Sequence, residues 1–291
     1  MAHLETVDLA RIVTGDSQET QKLYNAATRP GAFFLNFKSR DEGILDALPR
    51  LYALSDRYFQ RPLTEKSKDF REGQPASRDR GYKTGDCDET FEVHNSPIRC
   101  FWRGFANYLH KFSDDELFRG DARLPPILHD ESELVQQFNK LCHSAAISIL
   151  SSLSDFLGIE GEKRFEAHHR TTESSDTGLK LIYEPLLAKA SEVVENKHTD
   201  SGTLTLLFYE QVGLHLYLAE QDRWDFAAVP TPGCALVTVA DSLQRLSDLK
   251  FHSPLHRVTQ PSDGAAKRYF LSYFLRPSHA TQGTQDQVAT E

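Results

Sequence analysis

Lys197-His198-Thr199-Asp200-Ser201-Gly202-Thr203-Leu204-Thr205 is the stretch on which the reading of this chain turns. On extended backbone, side chains two residues apart point the same way, so His198 and Asp200 can grip one ion. Leu255-His256-Arg257-Val258 lies further on, at a separation that a few antiparallel strands close in a jelly roll. His198, Asp200 and His256 are therefore the candidate metal ligands and the candidate catalytic set. Two imidazoles and one carboxylate on one side of an ion leave the opposite positions open, the ligand set of a non-haem Fe(II) centre. Redox-inert zinc can be held by the same three groups. A bare HxD pair is a weak signal in a chain with 12 histidines, so its surroundings decide.

Those surroundings are β-rich. Short runs of Leu, Val, Thr, Tyr and Phe, bounded by Gly, Pro and Asp, occupy residues 179–183, 203–209, 214–218, 235–239 and 268–275. Such evenly spaced strands predict a β-sandwich or jelly roll. Helices precede them. Leu45, Leu48, Leu51 and Leu54 recur at helical spacing, after the apolar run Ala32-Phe33-Phe34-Leu35. Pro125, Pro126 and Asp130 announce a long helix over residues 131–157, with the stripe Leu134, Phe138, Leu141, Ala145, Ile149, Leu153 and Phe156. Residues 61–104, rich in Gly, Pro and polar side chains, read as exposed loops, and the segment after Pro277 as a frayed polar tail. The fold class is α+β.

The chain has 291 residues, 39% of them hydrophobic and 10% aromatic, which suits a packed core and excludes global disorder. A formal charge of −9 repels phosphate backbones and anionic lipids, so neither nucleic acid nor membrane is an expected partner. The N-terminal residues carry no basic stretch followed by an apolar one. Cys87, Cys100, Cys142 and Cys234 are far apart without a CxxC pair. A reducing, cytoplasmic setting is the expectation. There is no Gly-rich phosphate loop and no GxSxG elbow.

The order of segments is more telling than any one of them. Residues 198–207 are followed by Gly213-Leu214, Trp224, Pro230-Thr231-Pro232-Gly233, Asp241 to Ser247, His252 to Val258, Arg268-Tyr269 and Tyr273 to Pro277. Upstream stand Val7 to Ala10, Gly31 to Leu35, Arg57 to Lys66 and Arg80-Gly81-Tyr82. In this order the chain resembles the isopenicillin N synthase-like family of Fe(II)/2-oxoglutarate-dependent dioxygenases, which includes deacetoxycephalosporin synthase and the plant flavonoid dioxygenases. The resemblance implies a double-stranded β-helix (jelly-roll) core with N-terminal helices and a long covering helix. It implies Fe(II) on His198, Asp200 and His256, and Arg268 on the far carboxylate of 2-oxoglutarate. A guanidinium fork makes paired, charge-assisted hydrogen bonds to a carboxylate that lysine does not reproduce. The implied division is one oxygenase domain over 1–291: an N-terminal α/β part (1–120), a helical part (121–175), the catalytic jelly roll (176–277) and a polar tail (278–291).

This sequence departs from the family at three places. Phe270 stands where a serine is usual, Glu184 where a tyrosine precedes the proline, and Val239-Ala240 where an asparagine is usual. The first two positions normally donate hydroxyl hydrogen bonds to the co-substrate. Ser272, at even spacing from Arg268, and Tyr183, beside the expected tyrosine, are the candidate substitutes. Glu184 either repels 2-oxoglutarate or pairs with Arg268 in its absence. The implied reaction consumes dioxygen and a small molecule, of secondary-metabolite type, which is hydroxylated, desaturated or cyclised. The alternatives are an oxidase that uses no 2-oxoglutarate and a non-catalytic metal-binding protein on the same scaffold. Among weaker candidates, Arg80, Tyr82, Phe91, Glu92, His94 and Arg99 fall in the stretch that reaches the site mouth in the family. His168-His169 reads as an exposed pair, His215 as a neighbour within a sheet, and His252 as a turn contact.

Overall fold

The computed structural model describes residues 1–38, 40, 42–71, 80–85, 88–94, 124–185, 197–259, 261 and 263–288. Its strands are β1 (Thr6–Asp8), β2 (Ala32–Asn36), β3 (Gly81–Thr84), β4 (Glu89–His94), β5 (Gly178–Pro185), β6 (Leu204–Tyr209), β7 (Leu214–Leu218), β8 (Arg223–Phe226), β9 (Cys234–Val239), β10 (His256–Val258) and β11 (Lys267–Leu275). Its helices are α1 (Leu9–Val13), α2 (Ser17–Thr28), α3 (Glu42–Phe59), α4 (Leu63–Lys66), α5 (Pro126–His129), α6 (Ser132–Phe156), α7 (Asp241–Leu246) and α8 (His279–Val288). The strands form an eight-stranded sheet, ordered β1-β2-β9-β6-β11-β5-β4-β3, and a three-stranded sheet, β10-β7-β8. Two sheets with helices on one side give the α+β jelly-roll core.

A period of two governs the large sheet. Leu204, Leu206 and Phe208 on β6, Leu271, Tyr273 and Leu275 on β11, and Leu179 and Leu181 on β5 all join one core cluster. That cluster also holds Leu51 and Leu54 of α3 and Phe138, Ala145, Ile149 and Leu153 of α6. Helix α6 thus lays its apolar stripe on this face, with Phe138 edge-on to Phe208 at 5.1 Å between ring centres. The alternate residues face the small sheet. Leu207, Tyr209, Leu236 and Phe270 pack there with Leu214, Leu216 and Leu218 in a second, smaller cluster. Beyond that cluster the same face turns polar, with Lys180, Glu184, Asp200, Thr205, Thr238 and Ser272 around a cavity.

Three expectations are corrected. Residues 81–84 and 89–94 are strands rather than exposed loops, because Tyr82, Phe91 and Val93 carry apolar side chains into the main core. Residues 279–288 are not a frayed tail but helix α8. His279 N–H donates to the Ser174 carbonyl at 2.9 Å, and Arg245 of α7 donates to Gln285 at 3.4 Å. His169, expected at the surface, is buried. Its Nδ1 meets the Phe165 carbonyl at 3.0 Å and its Nε2 meets Thr203 Oγ1 at 2.7 Å. Burial holds this imidazole down at about 3, so it is neutral.

Candidate metal centre

Backbone pairing brings the distant histidine to its partners. His198 and His256 form an antiparallel bridge in which each N–H donates to the other's carbonyl, both at 2.9 Å. Residues that exchange both hydrogen bonds stand directly opposite one another, so both imidazoles start from neighbouring Cα atoms. Strand β10 is in turn held by β7, with His256 opposite Leu216. The bridge therefore adds one residue, His198, beside β10 at the edge of the small sheet.

The three ligand groups converge. Asp200 Oδ1 lies 3.8 Å from His198 Nε2 and 3.6 Å from His256 Nε2, and the rings of the two histidines are 4.5 Å apart. Ligand bonds of about 2 Å to one ion hold donor atoms at such spacings. His256 Nδ1 lies 3.1 Å from the Pro254 carbonyl, which only accepts, so the proton sits on Nδ1 and Nε2 presents a lone pair. Asp200 and His256 are buried whereas His198 is exposed, so one side of the centre opens outwards. Among the described residues these three form the only group of its kind.

Asp200 is oriented by its other oxygen. Thr205 Oγ1 donates to Oδ2 at 2.6 Å and Thr238 Oγ1 to the same atom at 3.3 Å, leaving Oδ1 for an ion. The loop carrying Asp200 is clasped by the start of α7. The N–H groups of Ala240, Asp241 and Ser242 donate to the carbonyls of Thr203, Asp200 and Gly202 at 3.1, 2.8 and 2.8 Å. Ala240 is the N-cap of α7 and supplies no side-chain cap. The missing asparagine is thus offset by loop carbonyls that take the orphan N–H groups of the helix start. Gly202 is required here, since a Cβ would lie 2.7 Å from the Leu275 carbonyl oxygen.

The cavity beside the triad has a volume of about 650 Å³. The ladder between β11 and β5 sets Arg268 opposite Glu184 and Phe270 opposite Ile182, on the cavity side. Ser272 lines the cavity. Tyr183 does not: its ring stacks on Phe59 and Tyr269 at 5.7 and 5.3 Å, on the helix-covered face. The expectation that it substitutes for the missing tyrosine is corrected, because one step along a strand reverses the face.

Arg268 is buried at 1% exposure. Its Nε donates to the Val212 carbonyl at 3.2 Å, and its Nη2 to the Pro261 carbonyl at 3.3 Å and to the Asp263 carboxylate. Nη1 is buried with no hydrogen-bond partner among the described residues, and so is Glu184 Oε2. The expected Arg268–Glu184 pairing is therefore not what the arginine uses; Asp263 takes that role. Burial and the nearby Asp88 charge push the Glu184 carboxyl up to about 8, against the opposing pull of Arg268. An orphaned guanidinium N–H is costly unless something accepts from it, and an anionic carboxylate is the natural acceptor. The residues present thus suit both a divalent metal and a dicarboxylic co-substrate. Phe270 fills the space expected of a serine, packed on Tyr209 at 5.9 Å and tight against Gly213.

Among the described residues, the weaker candidates make contacts within the fold and do not line this cavity. Arg80 donates to Asp176 at 2.9 Å, Tyr82 to Glu89 at 2.6 Å, and Arg276 to Glu92 at 2.6 Å, while Phe91 packs edge-on against Tyr58. The His94 side chain, Arg99, Cys87 and Cys100 lie outside the described residues. His215 stacks on Phe226 at 4.4 Å and accepts from Arg257. His252 contributes backbone: its N–H donates to Ala27. Sequence reasoning missed Lys83, Thr84 and Asp88 from the β3–β4 hairpin and Lys180 from β5, all of which line the cavity. Strand parity counted from Ser272 identifies Lys180, its partner across the ladder.

The chain matches the family model of the 2OG-Fe(II) oxygenase superfamily over residues 175–277. It is 33% identical to the 2-oxoglutarate-dependent dioxygenase frbH of Dothideomycetidae sp. (strain 11243), across 94% of this chain and 82% of that protein. It is 31% identical to the 2-oxoglutarate-dependent dioxygenase FG08081 of Gibberella zeae, across 97% of this chain and 81% of that one. Among solved structures, a dioxygenase for auxin oxidation from Arabidopsis thaliana, in its complex with 2-oxoglutarate, superposes with a TM-score of 0.70 at 17% identity, covering 96% of this chain and 94% of that one. Fold, ligand geometry and relatives of nearly full length agree: this chain belongs to the 2-oxoglutarate–Fe(II) oxygenase superfamily.

Proposed function

We propose that the protein is an Fe(II)/2-oxoglutarate-dependent dioxygenase that oxidises a small molecule of secondary metabolism. The observation that carries this reading is the backbone bridge between His198 and His256 with Asp200 between their imidazoles. His198, Asp200 and His256 would hold Fe(II), with 2-oxoglutarate reaching towards Arg268. Bound there, the metal supplies dioxygen activation coupled to conversion of 2-oxoglutarate to succinate and carbon dioxide, one oxygen atom going to succinate and the other available to the substrate.

The chain's own contribution is placement. Thr205 and Thr238 fix the coordinating oxygen of Asp200, and the Pro254 carbonyl fixes the His256 tautomer. Leu207, Leu214, Val258 and Phe270 line the cavity with apolar surface, which excludes water from the reacting region. Lys83, Lys180 and Asp88 line the same cavity and give its wall a charged character that suits a polar substrate.

The fungal dioxygenases at 31–33% identity support the dependence on 2-oxoglutarate, and a cavity of about 650 Å³ suits a small molecule. Cysteines scattered without a CxxC pair support a reducing setting such as the cytoplasm as the protein's location. The test is anaerobic reconstitution with Fe(II), then succinate release on admitting oxygen and 2-oxoglutarate with a panel of fungal metabolites. Wild type is expected to release succinate in a substrate-dependent way, and His198→Ala to lose it by more than a hundredfold. Oxygen uptake indifferent to 2-oxoglutarate would overturn the reading in favour of an oxidase.

A further inference from the structure

This inference rests on the cavity being the 2-oxoglutarate site and concerns how it receives the far carboxylate. Glu184 stands directly across the β5–β11 ladder from Arg268, on the cavity side. Each carries a buried polar atom without a partner among the described residues, Oε2 on Glu184 and Nη1 on Arg268, and no hydrogen bond joins the two side chains. Opposite one another on the ladder, with the Arg268 charge acting on the Glu184 carboxyl, the two groups are neighbours at the edge of the cavity that Glu184 lines.

Charge decides what that edge of the cavity takes. Arg268 is already neutralised by Asp263 through Nη2. With Glu184 ionised, the three groups sum to one negative charge and would repel an arriving carboxylate. With Glu184 protonated the sum is zero, and the subsite offers two donors, a guanidinium N–H and a carboxyl O–H. We propose that Glu184 serves this site as a neutral carboxylic acid, donating a hydrogen bond to the far carboxylate of 2-oxoglutarate beside Arg268, in place of the phenol expected there. Ser272, two ladder positions from Phe270, is then not needed to replace a lost donor.

The surroundings favour the acid form. Asp88, on the turn before β4, adds like charge, Arg268 on β11 opposes it, and burial outweighs that pull, with a midpoint of about 8. Lys83 of β3 and Lys180 of β5 line the same cavity, and Asp263 stands behind Arg268. The proton is therefore present at neutral pH and lost as pH rises through the midpoint.

The experiment is anaerobic titration of the Fe(II)-loaded full chain with 2-oxoglutarate from pH 6.5 to 9, read by calorimetry and by the visible charge-transfer band of the chelate. Wild-type affinity should fall about tenfold between pH 7 and pH 9, as the proton is lost. Glu184→Gln keeps the shape and a permanent donor, so it should bind within about threefold of wild type at pH 7 with a flat profile. Glu184→Leu should bind weakly and flatly. A wild-type profile as flat as that of Glu184→Gln, or the same decline in both, overturns the proposal while leaving the cofactor reading intact. Failure of wild type to bind 2-oxoglutarate at any pH overturns the cofactor reading itself. On wild type alone, infrared difference spectra should show a protonated carboxyl band that shifts on adding 2-oxoglutarate at pH 7; its absence also overturns the proposal.

Discussion

Asp200 illustrates how little freedom a ligand side chain is given. Two threonine hydroxyls from different strands, Thr205 on β6 and Thr238 on β9, hold one of its oxygens and leave the other for the ion. Removing such an orienting partner typically weakens metal binding by about 10–100-fold. Thr205→Val is expected to lose Fe(II) affinity on that scale while Thr205→Ser retains it. Competition with a fluorescent chelator reads both. The triad itself is legible in the sequence, because the HxD spacing and a later histidine inside family-like segments leave few other readings. Tyr183 is misplaced through parity alone. Counting from Arg268 through the ladder partner Glu184 sets the odd positions of β5 against the helices, and that ladder register is not written in either strand by itself.

At the scale of elements, helices and long strands are readable because their apolar side chains recur at one period over many residues. Strands β3 and β4 are not: Gly81, Thr84 and Gly85 signal turns, and Tyr82, Phe91 and Val93 become strand residues only once β5 offers an edge. Strand β10 is three residues long, and only its pairing with β7 makes it a strand. The α7 clasp is equally invisible, since it consists of backbone hydrogen bonds. It makes a sharp prediction. Gly202→Ala would drive a Cβ into the Leu275 carbonyl, so the loop must shift, at a cost of about 1–3 kcal/mol. Both the melting temperature and Fe(II) affinity should fall, and thermal melts with and without Fe(II) check this.

For the molecule as a whole, two buried groups tilt stability in opposite directions with pH. His169 is neutral in the fold, held at about 3 against an ordinary 6.5, so the unfolded chain takes up a proton that the folded one refuses. Stability contributed there is present above pH 6.5 and is lost as pH falls through that window towards 3. Glu184 acts in the reverse sense: between 4.5 and about 8 the fold retains a proton that the unfolded chain releases, so stability falls as pH rises through that range. His169→Gln should flatten the acid limb of melting temperature against pH, and Glu184→Gln the alkaline limb. Scanning calorimetry across pH 4–9 on the metal-free proteins distinguishes the two.

The His198–His256 bridge has a kinetic corollary. Everything from β6 to α7 lies in the loop that it closes, including β9 and the α7 clasp. A chain emerging from the ribosome therefore lacks a complete chelating trio until the segment bearing the second imidazole is out and zipped onto β7. Iron capture is a finishing event rather than a nucleus for assembly, and once captured the ion acts as a staple across that long loop, resisting its reopening by mass action.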